Sequence, residues 1–326
     1  MKALFFSLIL TALCLTLAGG RAEAWGTDGH AAIGQAAVTR LSARTRARVE
    51  DILGVASSAE LDDALAEACF WPDTVRDEPE WAWSAPLHYV NLPRDAARYD
   101  RGRDCPDDLC VTEAILKYAA ELGSSDFDGA RLKGDRQESW QSFAWLCHLV
   151  GDVHQPLHAG FGDDRGGNTV EVEYRGESLN LHRFWDSALV ADRLAAGGPW
   201  RPASDPKDSA CGPPVWGRER VVCWTEESHA LASTVAYPPA AVITDSFAEA
   251  SWAVVREQWS KAGQRLALVL ETVLGRPAAK PGSATKSAPG IAQRSRAMRK
   301  PIRASWRSGN ADTRKAEREW SGELAQ

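Results

Sequence analysis

The sequence predicts a mainly α protein, a single helical domain that carries one short β-hairpin. Three observations predict it. Long stretches repeat apolar residues every three to four positions, the period of one helix face. The breaks between them fall at Gly, Pro, Ser and Asp, residues that stop and start helices. Alternation of the kind a strand needs is confined to one short segment.

The elements follow in chain order. Residues 1–24 read as a secretory signal: Lys2, an apolar run of about eighteen residues, then the small-x-small site Ala22-Glu23-Ala24. A membrane anchor is the alternative for a run of that length, but the cleavage site directly after it favours removal. The exported chain then begins at Trp25. "DGHAAIGQAAVTRLSARTRARVEDILG" has helical spacing with a Gly at its end. "SAELDDALAEACFWPD" is a helix that should stop at Pro72. "VTEAILKYAAELG" is amphipathic, with Thr112 as N-cap and Gly123 as C-cap. "RQESWQSFAWLCHLVGDVHQPLH" is a long helix halted near Pro156. "NTVEVEY" alternates and meets Arg175-Gly176, which gives the hairpin. "LHRFWDSALVADRL" is helical, and a last long helix opens at Asp245 or Ser246. The helical domain covers 25–276. From 277 to 326 the chain is rich in Pro, Ser, Ala and Arg with few large apolar residues, a solvated basic tail.

Composition narrows the function. The tail holds eleven Lys/Arg against four Asp/Glu, so the net charge of −6 conceals a strongly acidic body. Such a body cannot wrap duplex nucleic acid by phosphate neutralisation alone. It leaves room for metal ions that supply positive charge locally. No second hydrophobic run is long enough to span a bilayer, so stable membrane association is not expected, and a monomer is. Beyond Cys14, six cysteines remain, an even number that in an exported chain suggests disulfides. Cys105–Cys110 is the pair read from proximity, with Cys211–Cys223 and then Cys69–Cys147 the next pairings, although six cysteines allow fifteen connectivities.

The chain has seven histidines. His148 and Asp152 in "HLVGD", and His182 and Asp186 in "HRFWD", are spaced i, i+4. On a helix that spacing puts imidazole and carboxylate on one face, one turn apart, which is how a helix grips zinc. His158 follows where Pro156 turns the chain. His88 lies in "APLHYVN", Asp73 in "FWPDTVR", and His30 five residues after Trp25. A lone pair of this kind is usually a surface hydrogen bond; two pairs with four further candidates form a constellation. His154 falls on the other side of the helix from Asp152 and reads as supporting or structural. His229 reads as surface.

In order along the chain, "WGTDGH", "WPDTVR", "LHYVN", "HLVGDVHQPLH", "GGN" and "NLHRFWD" resemble the motifs of the zinc-dependent, single-strand-specific nucleases of the P-one/S-one type. The resemblance implies the helical fold shared with zinc-dependent phospholipase C, and three Zn2+ ions. Asp73, His88 and His148 would hold one ion. Trp25, through its free α-amino nitrogen and its carbonyl oxygen, would hold a second with His30, and Asp152 would bridge the two. His158, His182 and Asp186 would hold the third. Chelation by Trp25 requires cleavage after Ala24, since an amide nitrogen is a poor ligand.

The same resemblance implies the reaction. Close zinc ions lower the pKa of a water to about 7 or less, ready to attack phosphorus. Asp73, Arg76 and Asn168 make up the catalytic set, Arg76 as the cation for phosphoryl charge and Asn168 as a phosphate contact. Tyr89 would stack a base, and Asn91 stands where fungal relatives place a carboxylate against the base edge. That departure bears on base preference. The implied substrates are single-stranded DNA and RNA, cut to 5'-phosphate products, and 3'-nucleotides, and the implied site of action is periplasmic or extracellular. Two alternatives stand beside this reading: zinc-dependent phospholipase C, and a non-catalytic exported zinc-binding protein. The first is disfavoured by the short spacing from Trp25 to His30 and by Asp186 in place of a Glu. The second is disfavoured by Arg76 and Asn168, for which a storage site has no use.

Overall fold

The computed structural model describes residues 25–197 and 211–275. The expected signal and the basic tail lie outside them. The described helices are α1 (Gly26–Val38), α2 (Ala43–Leu53), α3 (Ser58–Val75), α4 (Arg101–Asp104), α5 (Val111–Gly123), α6 (Arg136–Asp152), α7 (Leu181–Arg183), α8 (Leu189–Ala195), α9 (Arg218–Thr234) and α10 (Asp245–Leu274). Short 3-10 turns cover Ala82–His88, Pro106–Asp108 and Pro156–Ala159. Strands β1 (Phe127–Asp128) and β2 (Arg131–Leu132) form one antiparallel hairpin; β3 (Glu171–Tyr174) and β4 (Glu177–Asn180) form the other.

The centre of the fold is α6. Every residue from Ser142 to Asp152 is buried, as expected of a helix enclosed on all sides rather than one with a single apolar stripe. α3 and α5 flank it, and α1 lies between α3 and α10. Trp25 is fully buried, edge-on to Trp259 at 5.9 Å between ring centroids. Gly29 makes this possible: a Cβ there would lie 2.6 Å from the Trp25 Cβ. Cys69–Cys147 joins α3 to α6, and Cys105–Cys110 and Cys211–Cys223 close short loops. All three pairs are those read from the sequence. The hairpin expected at 168–176 is β3–β4.

Several expectations change in detail. The helix read across 28–54 is two, because Ser42 leaves the helical conformation and accepts a hydrogen bond from Thr45 N as the N-cap of α2. α3 does not stop at Pro72 but runs through it to Val75. Proline lacks only its own N–H and still accepts: Arg76 N donates to Pro72 O at 3.2 Å. α5 is capped by Cys110 rather than Thr112, and Gly123 is its last residue with Ser124 as C-cap. The helix read at 181–194 widens over Phe184–Ala188 into a π turn, a form often found at functional sites. α9 and the β1–β2 hairpin have no counterpart in the sequence reading.

Candidate metal centre

Four elements bring the centre together. α1 supplies His30, α3 supplies Asp73, the 3-10 turn Ala82–His88 ends on His88, and α6 supplies His148 and Asp152. The last pair stands one helical turn apart, with His148 Nε2 3.1 Å from Asp152 Oδ2. Asp152 presents its two oxygens to different neighbours. Oδ1 lies 3.5 Å from His30 Nε2, and Oδ2 lies 3.0 Å from His88 Nδ1. Asp73 Oδ1 is 3.7 Å from both His88 Nδ1 and His148 Nε2. Gly151 leaves room for the His30 ring: a Cβ there would sit 2.8 Å from His30 Nδ1.

A third group lies beyond. His158 comes from the 3-10 turn after Pro156, His182 from α7, and Asp186 from the π turn. His182 Nε2 is 3.1 Å from Asp186 Oδ2, and His158 Nε2 is 3.6 Å from Asp186 Oδ1. The chain from His88 to Leu92 runs beside 158–162, with Val90 N donating to His158 O and Leu92 N to Gly160 O. This pairing links the two halves of the centre.

Backbone carbonyls settle which ring nitrogens carry protons. A carbonyl only accepts, so the nitrogen facing it must be the donor. His148 Nδ1 donates to Cys69 O at 2.9 Å, His158 Nδ1 to His88 O at 2.7 Å, and His182 Nδ1 to Gly166 O at 2.6 Å. In each case Nε2 is the nitrogen that faces the carboxylates, and in the neutral ring it is the one free to bind a cation. Delivery of the Gly166 carbonyl needs a left-handed turn at Arg165, Gly166 and Gly167. Gly166 is forced there, since a Cβ would meet Leu157 O at 2.5 Å.

The donor set fits a metal. His30, Asp73, His88, His148, Asp152, His158, His182 and Asp186 are all buried. Seven of their buried atoms find no hydrogen-bond partner, among them both His30 nitrogens, Asp73 Oδ2, Asp152 Oδ1, His158 Nε2 and Asp186 Oδ2. Such orphans are costly unless an unrecorded partner satisfies them. Three triads each offer ligand atoms within 4.8 Å of one another: His30, His148, Asp152; Asp73, His88, His148; and His158, His182, Asp186. Burial pushes the Asp73 carboxyl up to about 7 against the pull of His148. Burial acts on Asp152 and Asp186 too, but the facing imidazoles hold both below the usual range. Burial, aided by the His148 charge, drives His30 well down, which favours the neutral ligand form.

The remaining predicted residues take varied places. Trp25 is buried with its indole Nε1 donating to Gly151 O at 2.9 Å, next to Asp152. Arg76 donates to Asp73 Oδ1 at 3.1 Å and keeps partial exposure. Asn168 follows the left-handed turn, its Nδ2 donating to Arg165 O at 2.9 Å. Tyr89 and Asn91 alternate with buried Val90 and Leu92, so both face outward from an extended segment. Asn91 lines a surface cleft of about 430 Å³ with Arg94, Arg103 and Asp163, and neither Tyr89 nor the triads line it. His154 turns both nitrogens elsewhere, Nδ1 to Val150 O and Nε2 to the Arg265 guanidinium. His229 is not at the surface. It is buried and donates from Nδ1 to Ala159 O at 2.8 Å, because α9 packs against the 3-10 turn of His158.

A family model described as S1/P1 Nuclease matches residues 25–275. Endonuclease 3 of Arabidopsis thaliana is 34% identical over 186 residues, 57% of this chain and 61% of its own. Endonuclease 2 of the same plant is 35% identical over 194 residues, 58% of this chain and 64% of its own. Nuclease S1 of Aspergillus oryzae is 26% identical over 283 residues, 78% of this chain and 93% of its own. The chain therefore spans about three fifths of the plant relatives it matches.

Proposed function

This chain belongs to the S1/P1 nuclease family, and on that premise we propose that it is an exported zinc-dependent endonuclease that hydrolyses phosphodiester bonds of single-stranded DNA and RNA. The observation that carries the proposal is the set of buried, unpartnered His and Asp atoms gathered into three triads. They support three zinc ions: one held by Asp73, His88 and His148, one by His30 and the Trp25 backbone once the chain begins there, with Asp152 shared between those two, and one by His158, His182 and Asp186. Three disulfides support export into an oxidising compartment. Products with a 5'-phosphate, and activity on 3'-nucleotides, belong to the same proposal. The family premise displaces the phospholipase C reading.

Bound zinc supplies Lewis acidity and lowers the pKa of water near it. The protein does the rest. Asp152 gives one oxygen to each side of the paired site, so it fixes the spacing between them. The Cys69, His88 and Gly166 carbonyls lock three imidazoles in the tautomer a cation needs. Arg76, held at Asp73, meets negative charge that develops on the phosphoryl oxygens. Asn168 offers an amide to the phosphate. Tyr89 stacks a base without regard to its identity, and Asn91 can both donate to and accept from a base edge. A paired base reaches such a platform only by leaving its stack, at a cost of a few kcal/mol. That cost sets the preference for single strands.

The test is cleavage of a single-stranded oligonucleotide and its duplex by the chain starting at Trp25. Activity on the single strand should vanish with a chelator and return with zinc. Cleavage that ignores the chelator, or equal cleavage of the duplex, would overturn the proposal.

A further inference from the structure

Gln155 is fully buried between two proposed ligands in sequence, Asp152 and His158, and no role above uses it. Its amide faces two ways. Nε2 donates to Asp186 Oδ1 at 2.6 Å. Oε1 accepts from Leu157 N at 2.5 Å and so caps the 3-10 turn Pro156–Ala159 that carries His158. One rigid side chain thus ties the turn bearing one member of the third triad to the carboxylate of another, 31 residues away.

We infer that Gln155 is a positioning residue for the third metal site: an amide clamp that occupies Asp186 Oδ1 and leaves Oδ2 to the metal. The inference rests on the zinc reading above. Its geometry is visible in the atoms left over. Asp186 Oδ2 and His158 Nε2 are buried without hydrogen-bond partners, and Oδ2 lies 3.1 Å from His182 Nε2. The carboxylate could otherwise rotate and offer either oxygen. Regular helix geometry does not set its orientation, because Asp186 sits in a π turn and His158 in a 3-10 turn.

The chemistry requires an amide. The position needs one donor for Asp186 and one acceptor for Leu157 N on a single planar group. Glutamate offers the acceptor but sets a second carboxylate against Asp186. Lysine donates but cannot cap the turn. Methionine fills the volume and leaves both partners unsatisfied in a buried place.

The experiment measures zinc retained per chain after dialysis against graded chelator, by elemental mass spectrometry, with circular dichroism alongside. The chain starting at Trp25 is compared with Gln155→Met and Gln155→Glu. Both variants should release one triad's metal at chelator concentrations about 10–100-fold lower than the parent chain, as supporting hydrogen bonds to metal ligands typically do. The metal of the paired site around Asp152 should keep its parental midpoint. Unchanged midpoints, or equal weakening of all the metal, would overturn the clamp. So would Gln155→Glu behaving as the parent, since it lacks the donor. Should Gln155→Met fail to fold, Gln155→Glu, which keeps the cap, decides alone. A parent chain that holds no zinc would instead overturn the nuclease reading itself.

Discussion

His148 and Asp152 stand one turn apart on a helix buried on every side, whereas His158 and Asp186 stand on a 3-10 turn and a π turn. The two halves of the centre are therefore held in different ways. On the paired side, regular helices α1, α3 and α6 supply every side chain but His88, which comes from the end of a 3-10 turn, and Cys69–Cys147 joins two of the helices beside His148. On the third side, irregular backbone brings the residues near, and hydrogen bonds from Gln155 and the Gly166 carbonyl finish the alignment. Helical periodicity can place two ligands from one short stretch. Three ligands from a turn, a short helix and a π turn need added constraints.

The largest effect that would sharpen this contrast is at Asp152, whose two oxygens face different neighbours. Asp152→Asn should abolish single-strand cleavage, because both halves of the paired site lose a shared carboxylate. His154→Ala, two residues on, should keep measurable activity, since its nitrogens face Val150 and Arg265. Kinetics that ranked the two variants the other way would break the assignment.

A smaller effect concerns the disulfide. Cys69 and Cys147 are 78 residues apart, so in chain-entropy terms their bond contributes about 4.5 kcal/mol to stability. The Cys69→Ser, Cys147→Ser double variant should unfold at lower denaturant while its folded fraction still cleaves. A denaturation midpoint equal to that of the parent would show that helix packing alone holds α3 on α6.

The same contrast explains what the sequence made legible. Regular features were readable: the i, i+4 His/Asp pairs, the long apolar stretches, the Arg175-Gly176 turn of the hairpin, and the Cys105–Cys110 pair, five residues apart. α9 was not, because its buried stripe includes Thr225, Ser228 and His229. Polar residues there look like a solvated face, and the hydrogen bond from His229 to Ala159 appears only after folding. Pro72 looked like a helix end, although a proline whose carbonyl still accepts can lie within one. The two-residue strands at Phe127 and Arg131 are too short to alternate. Nothing local marks Phe184–Ala188 as a π turn or Gln155 as a clamp. Both depend on neighbours distant in sequence.

The most direct measurement is zinc per folded chain for the protein starting at Trp25 and for Asp186→Asn. The account predicts three ions for the parent, two in the paired site around Asp152 and one with His158, His182 and Asp186. It predicts two for Asp186→Asn, with the paired site intact. Loss of all the metal together, or full retention by the variant, would contradict two separately built halves.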